Sequence, residues 1–190
     1  MDLQVLLAPI SPSLPCGPNL EYDPEFTALE QASQGKPERQ IGQVVIQAEE
    51  PDWLDVRQRA ELLFSRTKDL RVAVLLLRAL AHSEGMVGLA TGLTLLHALL
   101  TTYWATVHPG LDEDENDDPA MRLNVLTALA NPETVLKDLR NVNFVGTGSH
   151  ARPSVRDILV AMGKFPASGS AAIPTMAEIK EILGLPENAP

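Results

Sequence analysis

The sequence is poor in cysteine, in clustered basic residues and in metal-binding patterns. Cys16 is the single cysteine among 190 residues, so the chain cannot form an internal disulfide, which fits a reducing compartment. The chain has 15 Lys and Arg against 25 Asp and Glu, which gives a formal net charge of −10. It contains no run of consecutive basic residues. Because an acidic chain repels phosphate backbones, we expect no nucleic-acid binding.

The amino terminus lacks the features of a secretory signal. Asp2 stands early where such a signal has a basic segment, and the first twenty residues contain four prolines, at positions 9, 12, 15 and 18. We therefore interpret residues 1–20 as an irregular arm.

The histidines also lack the spacing of a metal site. His82, His97, His108 and His150 do not stand three or four positions apart, and the lone cysteine cannot complete a ligand set. The sequence therefore predicts no metal and no cofactor. His97 lies on an apolar helix, and we expect it to be a core histidine with one hydrogen bond.

A run of carboxylates occupies residues 112–118. Asp112, Asp114 and Asn116 stand at the alternate positions that open a calcium loop. The sixth position is Asp117, where the sharp turn needs glycine, and the twelfth is Leu123, where the bidentate ligand needs glutamate. We predict a solvated charged loop that binds no metal specifically.

Ser65 and Lys68 form the Ser-x-x-Lys pattern in which a lysine can activate a serine nucleophile. The companion Ser-Asp-Asn and Lys-Thr-Gly motifs are missing, so a polar turn between helices is the better interpretation. We predict no catalytic residue and no enzyme activity. A hydrolase built on Ser65 and Lys68 is kept as the least favoured alternative.

Apolar residues make up 45% of the chain, and most of them follow helical spacing. Helix caps and breakers divide the pattern into about seven helices, which predicts an all-α bundle with an irregular amino-terminal arm. Residues 44–46 are β-branched but have no clear partner strand, so we predict mostly loop for residues 38–50. The predicted caps are Asp23, Asp52, Asp69, Ser154 with Asp157, and Thr175 with Glu178.

The most apolar stretch predicts a buried helical hairpin. The helix after Asp69 is apolar around nearly its whole circumference, which is typical of a central helix. Gly85 breaks it, and residues 86–106 carry no formal charge, so we expect the helices around 70–82 and 86–106 to pack antiparallel. The uncharged segment is also long enough to cross a bilayer, and a membrane-associated subunit using residues 86–106 is the main alternative.

Six stretches, in order along residues 9–160, resemble one known family. The most distinctive begins with Lys68-Asp69-Leu70-Arg71, and the others cover residues 13–26, 50–53, 88–109, 122–126 and 154–158. Together they resemble the amino-terminal domain of the TssA/ImpA-related proteins of the bacterial type VI secretion system. Leu75 or Leu76 stands where that family often has tryptophan.

The resemblance implies a non-enzymatic protein–protein interaction module that helps assemble the contractile tail and baseplate. The implied partners are other secretion subunits of the baseplate, sheath, tube or membrane complex. The implied location is the cytoplasm, with docking at the inner-membrane secretion complex. Residues 1–164 would form the ImpA-type domain, and residues 165–190 a linker and terminal helix leading to a ring-forming carboxy-terminal region. Without that region, we expect a monomer or a weak dimer.

The resemblance also marks signature residues with a structural or docking role. Arg71 lies in the first turn of a helix, where the dipole disfavours a cation, so we expect it to have a carboxylate or carbonyl partner. Whether Arg71 serves helix packing or partner docking stays open, with packing favoured. The full set is Trp53, Asp69, Leu70, Arg71, Arg122, Asn124, Arg156 and Asp157.

Overall fold

The computed structural model describes residues 2–144, 153–167 and 174–186, and within them the fold is all-α with one small β-hairpin. Short 3₁₀ turns lie at Glu113–Glu115 and Ala128–Ala130. The elements in chain order are α1 (Leu3–Leu7), α2 (Pro24–Ala32), β1 (Arg39–Ile41), β2 (Val44–Ile46), α3 (Trp53–Phe64), α4 (Leu70–Thr102), α5 (Ala120–Thr127), α6 (Val135–Asn141), α7 (Val155–Ala161) and α8 (Met176–Ile182).

α4 is a helical hairpin and not one straight rod. Asp69 caps its start, and Gly85 interrupts it with a φ of 63° and a ψ of −141°, a conformation that glycine adopts at little cost. We call residues 70–84 the first arm and residues 86–102 the second arm. The break falls where the sequence predicts it.

The two arms pack antiparallel through glycines. A Cβ atom added at Gly92 would lie 2.8 Å from the Cα of Leu77, and one added at Gly88 would overlap the carbonyl oxygen of Leu80. These two contacts run in opposite directions along the chain, which confirms the predicted antiparallel pair. Only glycine allows the backbones to approach so closely.

α4 is long and apolar enough to cross a membrane by length and composition, and it is the one such helix in the described ranges. Half of its most apolar window is buried inside the domain. Because Gly85 folds the helix back, the second arm spans only about 25 Å at 1.5 Å per residue, against about 30 Å of bilayer hydrocarbon. This fold gives the segment a place in the domain core, which disfavours the membrane alternative.

The core forms where α3 lies against α4. α3 contributes four side chains with no exposed surface, Val56, Ala60, Leu63 and Phe64. The first arm contributes Leu70, Val72, Ala73, Leu76, Ala79 and Leu80, which are equally buried. The second arm adds Leu95 and Leu99. The buried residues cover most of the circumference of the first arm, whereas the side with Arg71, Leu75, Arg78 and His82 is incompletely buried.

Two residues on helices with an apolar pattern, one of them the predicted core histidine, are exposed. His97 lies on the exposed side of the second arm, so the core-histidine prediction is wrong. Met121 is 53% exposed, because its neighbour Arg122 occupies the buried position on α5 with no exposed surface. In both cases the apolar pattern alone could not indicate which side of the helix has a partner.

The prediction of loop for residues 38–50 is wrong in part, because they contain a β-hairpin. Ile41 pairs with Val44, which leaves a two-residue turn of Gly42 and Gln43. Gly42 has a φ of 62°, and glycine at the first turn position is the signature of a type II′ hairpin. All six strand residues are exposed, so the burial alternation that identifies most strands is missing here.

The predicted caps are all present, including the reciprocal capping boxes at Ser154 and Thr175. α8 contacts α7, and its Ile179 is 1% exposed. The boundary at residue 164 stays a prediction. His150 and residues 168–173 of the predicted linker lie outside the described residues.

Candidate functional site: a buried signature cluster

Arg71 and Asp69 form an ion pair at the start of α4. The Asp69 side chain has no exposed surface, and its oxygens accept hydrogen bonds from Nε and Nη2 of Arg71 at 3.1 and 2.8 Å. Glu21 lies 3.3 Å from Nη1, and the guanidinium is 4.7 Å from the ring centre of Phe26. Burial alone would lower the pKa of Arg71, but its hydrogen bonds with Asp69 and the nearby carboxylates hold that pKa above its ordinary value. The expected carboxylate partners are therefore present.

Lys68 is buried beside the amino-terminal arm. Its backbone amide donates to the carbonyl of Cys16 at 2.7 Å, and its Nζ donates to the carbonyl of Phe64 at 2.9 Å. The Cys16 Sγ lies 3.2 Å from the Thr106 hydroxyl. Burial lowers the pKa of Lys68 and raises the pKa of the Cys16 thiol. Both shifts favour the neutral forms, as expected for groups removed from water.

Arg122 binds three backbone carbonyls beyond the end of α4. Its Nε and Nη2 donate to Pro109 and Val107 at 2.7 Å each, and its Nη1 donates to Trp104. The guanidinium also lies 4.9 Å from the Trp104 ring centre. Burial lowers the pKa of Arg122. A positive group at this end of a helix satisfies carbonyls that have no helical partner.

Hydrogen bonds to backbone carbonyls connect the amino-terminal arm to the start of α4 and to the loop after it. His108 Nε2 lies 2.9 Å from the carbonyl of Gly17, and the Thr67 hydroxyl donates to the carbonyl of Pro18 at 2.8 Å. The Leu70 amide donates to the carbonyl of His108 at 2.9 Å. Segments that are about 50 and 40 residues apart along the chain therefore share one hydrogen-bonded junction.

We call Cys16, Lys68, Asp69, Leu70, Arg71 and Arg122 the signature cluster. Four of its members, Asp69, Leu70, Arg71 and Arg122, belong to the predicted signature set, and the structure brings them to one region of the fold. Sequence reasoning missed the burial of Lys68, because the polar turn in which it stands gave no signal of burial.

Trp53 belongs to a second group, the Trp53 cluster of Trp53, Arg78, His82 and Asp138. The Trp53 and His82 rings stack with centres 4.1 Å apart, and Arg78 lies 4.9 Å from the Trp53 ring centre. Asp138 receives Arg78 Nε at 2.6 Å and lies 3.0 Å from His82 Nε2. The indole Nε1 of Trp53 is buried and has no hydrogen-bond partner among the described residues.

The Trp53 cluster joins α3, α4 and α6. Burial would raise the pKa of Asp138, but its bonds with His82 and Arg78 outweigh that effect and hold the pKa below its ordinary value. Sequence reasoning did not identify Arg78, His82 or Asp138. Arg78 and His82 stand four apart on an otherwise apolar arm, which was the available signal for a buried ion pair.

The remaining signature residues lie elsewhere. Asn124 is exposed on α5. Asp157 completes the capping box with Ser154 at the start of α7. Arg156 also lies on α7, and its Cζ is 5.9 Å from the centre of the Phe165 ring. These three do not join either cluster.

The geometry offers no nucleophile activation within the described residues. The Ser65 hydroxyl donates to the carbonyl of Leu62 at 2.7 Å, while Lys68 Nζ donates to Phe64, so the two are not hydrogen-bonded to each other. Among the residues that the structure covers, no three His, Cys, Asp or Glu side chains are grouped as metal ligands. The polar groups of the signature cluster bind one another and the backbone, which is the chemistry of a structural junction.

Comparisons with known proteins found a matching family model and a similar curated protein. The family model described as ImpA, N-terminal, type VI secretion system, matches residues 7–131. The type VI secretion system component TssA1 of Pseudomonas aeruginosa is 45% identical over 163 residues, which cover 86% of this chain and 47% of that protein. The chain therefore spans about half the length of this curated relative.

A solved structure has a similar fold. It is the N-terminal domain, including the conserved ImpA_N region, of the TssA component of the type VI secretion system from Burkholderia cenocepacia. The TM-score is 0.65 at 34% identity, and the match covers 85% of this chain and 58% of that one.

Proposed function

We propose, on the premise that this chain belongs to the ImpA amino-terminal family of type VI secretion systems, that it is a non-enzymatic protein–protein interaction module. Its role is to help assemble the contractile tail and baseplate. The observation that carries the proposal is the internal use of the signature polar groups, which leaves them bound to one another and to the backbone.

The signature cluster has a structural role in this proposal. Asp69, Leu70, Arg71 and Arg122 hold the amino-terminal arm and the loop after α4 onto the bundle. Trp53 joins α3 to α4 and α6 in the same way. A junction of this kind gives the exposed surfaces of the domain a fixed relative position, which a docking module needs because ordering them on binding would cost affinity.

The proposed docking face is the exposed side of α5. Asn124 is a signature residue, yet its side chain is exposed and makes no hydrogen bond to the described residues. Met121, one helical turn away on the same side, is 53% exposed. An exposed apolar side chain beside a free amide suits a protein partner, since interface centres combine apolar contact with a few directed hydrogen bonds.

The partners in this proposal are other secretion subunits of the baseplate, sheath, tube or membrane complex. The domain acts in the cytoplasm and docks at the inner-membrane secretion complex. No observation favours the hydrolase alternative.

Titration of the immobilised domain with each purified secretion subunit tests the proposal. We expect at least one subunit to bind, and Asn124→Ala to weaken that binding about tenfold without changing the thermal midpoint. Arg71→Ala is the contrasting variant, which should lower the midpoint while folded molecules bind normally. Failure of every subunit to bind, or labelling of Ser65 by a serine-reactive probe, would overturn the proposal.

A further inference from the structure

Charge is unevenly distributed along this acidic chain. Residues 1–134 contain 20 carboxylates and 9 basic side chains, a net charge of −11. Residues 135–167 contain 5 basic side chains and 2 carboxylates, a net charge of +3. The second segment includes α6 and α7, which contact each other, so much of its positive charge is local in space as well as in sequence.

Arg140 and Arg156 lie close together around one aromatic ring. Their Cζ atoms are 5.4 and 5.9 Å from the centre of Phe165. Lys164, which precedes Phe165 in the sequence, is exposed, and Lys137 is exposed one turn before Arg140 on α6. We call Lys137, Arg140, Arg156 and Lys164 the basic patch.

Lys137, Arg140 and Lys164 of this patch are poorly neutralised by the described residues. Arg140 and Lys164 have no ion pair among the described residues, and Lys137 reaches Glu50 only at 3.6 Å with both side chains more than half exposed. Asp138 is occupied by Arg78 and His82, and Asp157 by its capping box. Five other arginines are each paired with a carboxylate, namely Arg57, Arg59, Arg66, Arg71 and Arg78.

The loop of residues 112–118 carries the opposite imbalance. Six of its seven residues are carboxylates, and none of those with described side chains has an ion pair in the structure as described. Asp112, Asp114, Glu115 and Asp117 are exposed. A backbone bridge between Asp112 and Asp118 closes the loop, so its carboxylates are held together on a short exposed turn.

We propose that the basic patch binds the acidic loop of a second copy of this chain. The two features are complementary in charge and both are on the surface. Each copy contributes its loop to one neighbour and its patch to another, so the contact is heterologous and leaves one site of each kind open in a pair. The contact joins copies of the chain and does not depend on which secretion subunit binds α5.

The contact is weak and sensitive to salt. Exposed ion pairs add little each, so we expect a dissociation constant on the order of 1 mM. Two copies with a net charge of −10 also repel one another. At about 0.1 M salt the screening length is about 10 Å, which damps this overall repulsion while groups in direct contact still attract.

Nuclear magnetic resonance of the labelled chain, titrated with unlabelled chain at about 0.1 M salt, tests the proposal. We expect saturable shifts in the amides of α6 and residues 153–167, and in the loop, that are lost at about 1 M salt, where screening acts over about 3 Å. Arg140→Glu combined with Lys164→Glu should weaken the association about tenfold. Adding a partner that carries Asp114→Lys and Glu115→Lys should restore it.

Two control variants test whether the effect is specific to the basic patch. Arg39→Glu on β1 makes the same charge change as Arg140→Glu and should have no effect, and Asn124→Ala should also leave self-association intact. The proposal would be overturned if wild-type chain showed the same shifts when titrated with the Asp114→Lys and Glu115→Lys variant as with itself. It would also be overturned if wild-type chain showed no shifts at about 1 mM. Binding of the patch to phosphatidylglycerol vesicles without self-association would also overturn it and assign the patch to anionic lipid.

Discussion

Replacing Arg122 with methionine should lower the free energy of unfolding by about 3–5 kcal/mol. The side chain has no exposed surface and donates to three backbone carbonyls, those of Trp104, Val107 and Pro109. Hydrogen bonds from a charged donor contribute about 1.5–3 kcal/mol each. Because the cost of burying the guanidinium disappears with the charge, the net loss is smaller than their sum.

Methionine is the informative substitution because it keeps most of the side-chain volume and removes only the donors. Arg122→Lys keeps the charge but cannot reach three carbonyls at once, so we expect it to fall between wild type and methionine. Urea denaturation followed by circular dichroism gives the free energies, with Arg39→Met on the exposed β1 as control. A loss below about 1 kcal/mol for Arg122→Met would refute the idea that this residue holds the loop after α4 in place.

Four further predictions concern the core, the Asp138 ion pair, the loop of residues 112–118 and the oligomeric state. Leu76→Ala, at a side chain with no exposed surface, should cost about 2–5 kcal/mol in urea denaturation, and a loss under half of one kcal/mol would contradict the core assignment. The pKa of Asp138 is lowered in the folded state, so its stabilisation is full above the unfolded pKa of about 3.9 and is lost as the pH falls through the folded value. The stability difference between wild type and Asp138→Asn should therefore shrink only below about pH 4, and a constant difference from pH 6 to pH 3 would argue against this ion pair. The thermal midpoint should be the same in millimolar calcium as in chelator. A stabilisation that saturates at micromolar calcium would instead reveal a specific site in the loop of residues 112–118. Light scattering at micromolar concentration should show the 20.6 kDa monomer or its dimer, and a dominant species of six or more subunits would place ring-forming surfaces in this domain.

Local physics made several elements predictable from sequence. Asp23, Asp52 and Asp69 each precede a helix and accept amide hydrogen bonds at its start, an interaction that involves only neighbouring residues. Gly85 breaks α4 for an equally local reason. The apolar circumference of the first arm predicted its burial, because such a helix can avoid water only at the centre of a bundle.

The sequence was less informative where a residue's surroundings come from distant segments. Met121 and Arg122 are adjacent on α5, and the apolar pattern favours Met121 as the buried one. The structure buries Arg122 instead, because three carbonyls after α4 lie within its reach. The exposed β-hairpin escaped prediction for a related reason, since its strands pair with each other and show no buried face.

The sequence by itself determined the all-α class, the starts of the helices capped by Asp23, Asp52 and Asp69, the break at Gly85 and, through ordered motifs, the family. Each of these depends on neighbouring residues or on a pattern that can be matched position by position. The tertiary structure alone decided that Asp69, Arg71 and Arg122 meet beside the amino-terminal arm, that Trp53 lies in a separate cluster, and that Asn124 is exposed. Those outcomes depend on which distant segments approach one another in the folded chain, and the spacing of residues along the sequence does not indicate this.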